Sequence, residues 1–240
     1  WGSAVSAIEV ALLDIAGKAY GIPVHRLLGG KARDRVRMYR TGSYENRPVQ
    51  PAEFAETVQR ALADPAGWTI IKLGVGFHSS MPVEIPGFYY GDPRTGPPHP
   101  NAGLLTDRGL KHMVACVAAM REAAGDKLAF AVDCGPGWTV PDAIRFGKAI
   151  EPYDVLWMED LITGDYAPHT SPGEFREVTQ ATSTPTHTGE QVYLRNNFRE
   201  LIEGHAVRVV GPDPLDVGGL AEIKWIAQYA DMHGVLMAPH

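Results

Sequence analysis

Apolar positions along the chain predict strands that alternate with helices. Short apolar runs, typical of strands, lie at 36–39, 68–73, 128–133, 155–159, 184–190, 207–213 and 235–240. Apolar residues recur every three or four positions, as in amphipathic helices, at 3–20, 51–64, 106–124, 140–151, 171–180, 195–204 and 218–232. This alternation predicts an α/β protein in which helices cover a parallel sheet.

A closed barrel and an open, doubly wound sheet both satisfy this alternation. Acidic residues end several strands, and their side chains must meet at one point if they act together. A barrel gathers all its strand ends around one mouth, whereas an open sheet does so only at its switch point. We therefore predict a barrel with seven of its eight strands present. Because no Met precedes Trp1 and no eighth strand follows, we expect a fragment truncated at both ends.

Composition narrows the functional class. The 240 residues are 45% apolar with a formal charge of −6, and no run of Lys or Arg could follow a phosphate backbone, so we predict no nucleic-acid partner. No apolar run approaches the length of a membrane span, and no signal-peptide pattern opens the chain. Two cysteines are too few for a disulfide framework. We predict a cytoplasmic protein with no membrane partner.

Three acids end three successive predicted strands. They are Asp133 in AVDCG, Glu159 in LWMED and Glu190 in THTGE, each about one strand–helix unit apart. Three converging carboxylates would repel one another strongly at low dielectric, and a hard divalent cation removes that cost. Oxygen ligands with room left for water or substrate suit Mg²⁺. The alternative is that each acid is an ordinary solvated residue at a strand end.

The next two strand ends suggest an acid–base pair. Asp213 follows one strand and His240 follows the other, so the carboxylate could fix the tautomer of the imidazole and raise its basicity. Lys72 ends the second strand and could neutralise a substrate carboxylate or, with a lowered pKa, act as a base. A solvated His240 and a solvated Lys72 are the alternatives. His187 lies within a strand, and we expect it to pack or hydrogen-bond rather than to react.

Long loops on the same side of the predicted sheet offer substrate contacts. Residues 77–105 form a Pro- and Gly-rich connection after the second strand, and long loops inside compact domains are often functional. Tyr89, Tyr90 and His99 lie in this loop, and His169 lies in the loop after Glu159. We predict that these four residues contact substrate.

These motifs resemble the mandelate racemase/muconate lactonizing enzyme branch of the enolase superfamily. "VDCGPGW", "WMED" and "TGE" are similar to its three Mg²⁺-binding segments, and "GPDPLDVGGL…LMAPH" is similar to the region that holds its Asp–His dyad. The resemblance implies a modified TIM barrel over 35–240, incomplete at its C-terminus. It implies that 1–34 is the end of an N-terminal capping region. It also implies one Mg²⁺ per subunit and a homo-oligomer.

Two departures from the family pattern bear on the reaction. Members often have Lys-x-Lys on the second strand, but here the stretch is Lys72-Leu73-Gly74; some dehydratases have a His where Gly135 stands. With one good base candidate, we favour a lyase that removes the proton next to a carboxylate through an enediolate. Superfamily sites pair a Lys or His base with Mg²⁺ for this chemistry. Dehydration of an aldonate or aldarate is the expected reaction, with His240, Asp213 and Lys72 as catalytic residues.

Three other functions stay open at the level of sequence. A racemase, epimerase or cycloisomerase could use the same scaffold. The missing second Lys also leaves room for a barrel that binds metal and ligand without catalysis. A class II-type aldolase barrel is disfavoured because such a site would prefer His ligands for Zn²⁺ over three acids.

Overall fold

The computed structural model of the protein describes residues 2–42, 48–75, 105–135, 137–162 and 170–240. Within them the strands form one parallel sheet in sequence order. The strands are β1 (Arg40–Thr41), β2 (Ile70–Gly74), β3 (Ala129–Asp133), β4 (Met158–Glu159), β5 (Thr186–Thr188), β6 (Val209–Val210) and β7 (Leu236–Met237). The predicted α/β class and parallel sheet are confirmed.

Helices connect each strand to the next. The helices are α1 (Gly2–Tyr20), α2 (Val24–Leu27), α3 (Pro51–Leu62), α4 (Asp107–Ala124), α5 (Val140–Ile150), α6 (Pro172–Ala181), α7 (Arg195–Glu203) and α8 (Leu220–Met232), with a 3₁₀ turn at Glu151–Tyr153. Each predicted helix is present, with ends within about two residues of the prediction. Among the described helices, none is both long and apolar enough to cross a membrane.

Local capping explains where several helices begin. The Thr106 side chain accepts a hydrogen bond from the Gly109 amide at the start of α4. Thr139 accepts one from the Asp142 amide at the start of α5. A side-chain oxygen at this position satisfies a backbone donor that the first helical turn leaves unpaired, so both helices begin at a threonine.

The first strand differs from the prediction. We expected it at 36–39, but the ladder with β2 forms at Arg40–Thr41, opposite Ile71 and Lys72. Val36 and Met38 are instead exposed. Both segments have a strand-like composition, and what decides between them is which backbone groups reach a neighbouring strand. An apolar pattern does not contain that information.

The sheet curls until its two edges approach each other. Tyr39 lies just before β1 and Pro239 lies just after β7, at opposite ends of the strand order. The Tyr39 hydroxyl donates a hydrogen bond to the Pro239 carbonyl oxygen at 3.1 Å. The strands therefore surround an interior, as the predicted barrel requires, and helices cover the outside.

Alternation along β3 separates an outer core from this interior. Phe130 and Val132 belong to a large apolar cluster shared with the helices. Ala131 belongs to a small inner cluster with Trp157. Because successive side chains point to opposite faces of a sheet, Asp133 lies on the same inner face as Ala131.

The same alternation orients β2 and β4. Ile71 on β2 and Met158 on β4 pack in the outer cluster. Lys72 is the residue after Ile71. Trp157 and Glu159 lie on either side of Met158. These three side chains therefore face the interior. Charged groups from neighbouring strands thus share one enclosed space.

Candidate metal and catalytic site

Glu159 lies at the centre of the inner face and is fully buried. The Lys72 side chain is only 4% exposed, and its Nζ atom donates a hydrogen bond to Glu159 Oε1. The Trp157 indole Nε1 donates to Oε2 at 2.9 Å. Burial raises the pKa of the Glu159 carboxyl, but His187, the Lys72 charge and these two hydrogen bonds outweigh burial and hold its pKa below the usual value. Glu159 is therefore an ionised carboxylate within the protein interior.

The Lys72 ammonium is the matching cation. Burial lowers its pKa, but the carboxylates of Glu159 and Asp133 oppose burial and hold the pKa above its usual value. These carboxylates therefore favour the protonated form of Lys72. Its role toward a substrate carboxylate stays a prediction.

A glycine brings Glu190 to the same space. His187 faces the interior, and simple alternation would send a residue three positions later to the outside. Gly189 interrupts the alternation with a φ of 139°, a region that residues with a side chain rarely adopt. A Cβ at Gly189 would also lie 2.9 Å from the Phe198 ring. The backbone can therefore reverse here, and Glu190 joins the inner group.

His240 lies between two acids. Its Nδ1 atom is 3.0 Å from Asp213 Oδ2, and its Nε2 atom is 3.3 Å from Glu190 Oε2. One ligand atom from each of Glu159, Glu190 and His240 lies within 4.8 Å of the others. The structure thus brings together the proposed dyad and two of the three predicted metal acids.

Negative charge at this point is only partly compensated. Burial raises the pKa of the Glu190 carboxyl to about 7; His240 and Lys72 oppose the rise, whereas Asp133 and Glu159 add to it. Carboxylates crowded in this way suit a divalent cation, which would stabilise their ionised forms. The donor set therefore fits a divalent metal.

Asp133 lies beside Glu159 at the end of the neighbouring strand. It pairs with Glu159 in the β3–β4 register, and its Oδ1 atom accepts a hydrogen bond from the Gly135 amide at 3.0 Å. Its charge reaches Glu190 and Lys72, because it contributes to the pKa of both. Within the described residues, however, the compact group of ligand atoms includes His240 and not Asp133. The assignment of Asp133 as a ligand stays a prediction.

Two residues near Glu159 were not singled out from the sequence. Trp157 precedes Glu159 by two positions, and that spacing on a strand was the available signal that both face inward. Asp160, fully enclosed on the other side of β4, accepts a hydrogen bond from Thr188 Oγ1 at 2.6 Å. Burial, with Glu159 beside it, raises the pKa of Asp160 well above its usual value. Through this hydrogen bond Asp160 links the ends of β4 and β5 beside Glu159.

The predicted substrate contacts Tyr89, Tyr90, His99 and His169 lie outside the described residues. They stay predictions. His187 does pack and hydrogen-bond as expected, because it is fully buried and its Nε2 atom lies 3.1 Å from the Ala238 carbonyl oxygen.

Two curated proteins are similar to almost the whole chain. A D-xylonate dehydratase from Haloferax volcanii is 34% identical over 238 residues, which are 99% of this chain and 52% of the relative. A D-galactonate dehydratase from Variovorax paradoxus is 30% identical, covering 99% of this chain and 54% of the relative. The chain spans about half the length of these curated relatives.

A solved structure is also similar to the chain over its whole length. A member of the enolase superfamily from Salmonella Typhimurium aligns with a TM-score of 0.83 and 26% identity, covering 100% of this chain and 58% of that one. The profile of the enolase C-terminal domain-like family matches residues 53–240. That of the mandelate racemase/muconate lactonizing enzyme N-terminal domain matches residues 1–29. The chain therefore belongs to the mandelate racemase/muconate lactonizing enzyme branch of the enolase superfamily.

Proposed function

We propose that the protein is a Mg²⁺-dependent lyase that dehydrates an acid sugar, an aldonate or an aldarate, to a 2-keto acid. The observation on which this rests is the close approach of Glu159, Glu190 and His240, with Asp213 bound to the far side of the imidazole. Two relatives named as sugar-acid dehydratases support the substrate class.

Asp133, Glu159 and Glu190 are the proposed Mg²⁺ ligands, with one ion per subunit. When bound, the ion supplies a Lewis acid that stabilises negative charge on the substrate carboxylate. Glu159 and Glu190 already lie together, and Asp133 lies beside Glu159 in the strand register. Hard oxygen ligands of this kind favour Mg²⁺ over softer metals.

His240 is the proposed proton-transfer group. Asp213 accepts a hydrogen bond from Nδ1–H, which leaves Nε2 with its lone pair directed into the interior. From there Nε2 can take the proton next to the substrate carboxylate or, once protonated, deliver it to the departing β-hydroxyl, which leaves as water. The imidazole is 28% exposed, so a small molecule in the interior could reach it.

Lys72 is proposed to orient the substrate carboxylate. Its Nζ atom donates to Glu159 on the inner face, where the ammonium would also meet a substrate carboxylate. Its fixed positive charge on the inner face would attract an acid and disfavour a neutral sugar. Tyr89, Tyr90, His99 and His169 are proposed to contact the sugar hydroxyls.

The test is turnover by the full-length protein with a library of aldonic and aldaric acids and Mg²⁺, followed as 2-keto product. His240→Asn and a reaction with excess chelator are the controls, and both should abolish product. If no acid in the library gives a 2-keto product, the proposal is wrong. Exchange of the α-proton without loss of water would point instead to racemisation or epimerisation.

The wider context is also a proposal. We infer that residues 1–34 end an N-terminal capping region and that 35–240 belong to the barrel, which agrees with profile matches at 1–29 and 53–240. We further propose a cytoplasmic homo-oligomer with a small-molecule partner. Sedimentation of the full-length protein would test the oligomeric state.

A further inference from the structure

Two stacked aromatic rings lie against Glu159 inside the barrel. The Trp157 indole donates its Nε1–H to Glu159 Oε2 at 2.9 Å. The His187 ring stacks on the indole, with centroids 5.3 Å apart and an interplanar angle of 21°. His187 is also the β5 residue directly opposite Glu159 in the strand register. Both rings therefore contact the Glu159 carboxylate inside the barrel.

The His187 ring is held in one orientation. Its Nε2 atom lies 3.1 Å from the Ala238 carbonyl oxygen, which can only accept, so Nε2 bears the hydrogen. Nδ1 is 3.5 Å from Glu159 Oε2, and no described residue forms a hydrogen bond with it.

Space for this ring depends on a glycine. A Cβ at Gly211, the residue after β6, would lie 2.2 Å from the His187 imidazole. It would also lie 2.6 Å from the Ala238 carbonyl oxygen to which the ring is bound. The imidazole thus occupies the space that a side chain at Gly211 would need. Its contact with Ala238 links β5 to the segment after β7, two residues before His240.

These contacts restrict how the Glu159 carboxylate can turn. Oε2 accepts from Trp157 on one side and faces the His187 Nδ1 atom on the other, so the two rings enclose this end of the carboxylate. Oε1 is directed toward Lys72. Partners that orient a ligand in this way commonly set the affinity of a site for its metal.

We propose that Trp157 and His187 form a positioning pair that fixes the Glu159 carboxylate and thereby determines divalent-metal affinity. This inference rests on the proposed function, in which Glu159 is a metal ligand. Neither ring needs to touch substrate for this role.

The test uses Trp157→Phe in the full-length protein. This change keeps an aromatic ring against His187 and removes the N–H donor. Titration with Mn²⁺, followed by electron paramagnetic resonance, and competition by Mg²⁺ measure metal affinity without turnover. We expect affinity to fall about tenfold, with turnover restored to within about threefold at saturating Mg²⁺. Trp225→Phe is the matched control, since Trp225 stacks on Tyr229 within α8, and it should leave affinity unchanged.

Unchanged metal affinity in a folded Trp157→Phe protein would overturn the inference. If that variant does not fold, the unsubstituted protein labelled with ¹⁵N-tryptophan replaces it. The Trp157 indole resonance, assigned by elimination with variants of the other tryptophans, should shift on Mg²⁺ addition, and an unmoved resonance would equally overturn the inference.

Glu159→Gln and Glu190→Gln separate this inference from the proposed function. If both variants bind Mn²⁺ as tightly as the unsubstituted protein, the metal site itself is misassigned and both proposals fail. If both lose Mn²⁺ while Trp157→Phe binds it normally, only the positioning role fails.

Discussion

His240 Nδ1 lies 3.0 Å from Asp213 Oδ2, and this contact joins the ends of β6 and β7 at the mouth of the barrel. Both side chains are mostly enclosed, with 28% of His240 and 15% of Asp213 exposed. An enclosed carboxylate fixes the tautomer of its imidazole partner more firmly than a solvated one, because water competes less for either group.

The first prediction follows from this contact. Asp213→Asn should lower kcat at least about 100-fold, because an amide can donate to Nδ1 and favour the tautomer whose Nε2 already bears a proton. The measurement is steady-state dehydration by the full-length protein across pH 6–9. Asp231→Asn, an exposed change in α8, is the control and should leave kcat unaltered. Similar kcat values in the two variants would contradict the proposed dyad.

Lys72 should contribute to stability as well as to substrate binding. Lys72→Met in metal-free protein should lower the free energy of unfolding by about 3 kcal/mol, because Glu159 then lies buried without its cation. Urea unfolding of the two proteins checks this value. Added Mg²⁺ should recover part of the loss if Glu159 is a ligand. The double variant Lys72→Met/Glu159→Gln should be more stable than Lys72→Met alone; the reverse order would contradict the buried pair.

The raised pKa of Glu190 predicts an unusual pH dependence for the metal-free protein. The folded-state pKa of about 7 exceeds the unfolded value of 4.5, so the folded state binds more protons between these pH values. Stability must then fall as pH rises from 4.5 to 7, by up to about 3 kcal/mol from this group. Urea unfolding at several pH values measures the slope.

Glu190→Gln is the comparison for that slope, because it removes the titrating group and keeps the side-chain shape. The difference in unfolding free energy between the two proteins should shrink toward pH 4 and grow toward pH 7. Mg²⁺ should reduce or reverse the slope in the unsubstituted protein, since the metal favours the ionised carboxylate. Parallel pH profiles for the two proteins would contradict the raised pKa.

Gly211 should tolerate no side chain. Gly211→Ala places a Cβ within 2.2 Å of the His187 ring and 2.6 Å of a backbone oxygen, and we expect a loss of about 2–3 kcal/mol. Gly173→Ala in α6 is the matched control, since a Cβ there meets no atom within 4 Å, and it should be neutral or slightly stabilising. Denaturant unfolding of both variants tests this. An undamaged Gly211→Ala protein would show that His187 can move aside.

The amino-acid sequence determined the order of elements and the candidate chemistry. Period-two and period-3.6 patterns record which side of each element meets the core, so the parallel sheet and its helices could be predicted. The acids Asp133, Glu159 and Glu190 stand out because charged residues at the ends of apolar runs are visible in one dimension. The position of β1 was missed, because backbone pairing with Ile71 and Lys72 depends on a neighbour distant in sequence.

Only the tertiary structure decided which of these groups meet. The turn at Gly189 brings Glu190 inward, and the approach of β7 to β5 places His240 beside it and His187 under Ala238. The spacing of Trp157 and Glu159 shows that both face inward, but only the structure shows the hydrogen bond between them. Distances between strands depend on register, twist and curl, which sum many weak contacts over the whole sheet, whereas the face on which a residue lies depends on its immediate neighbours alone.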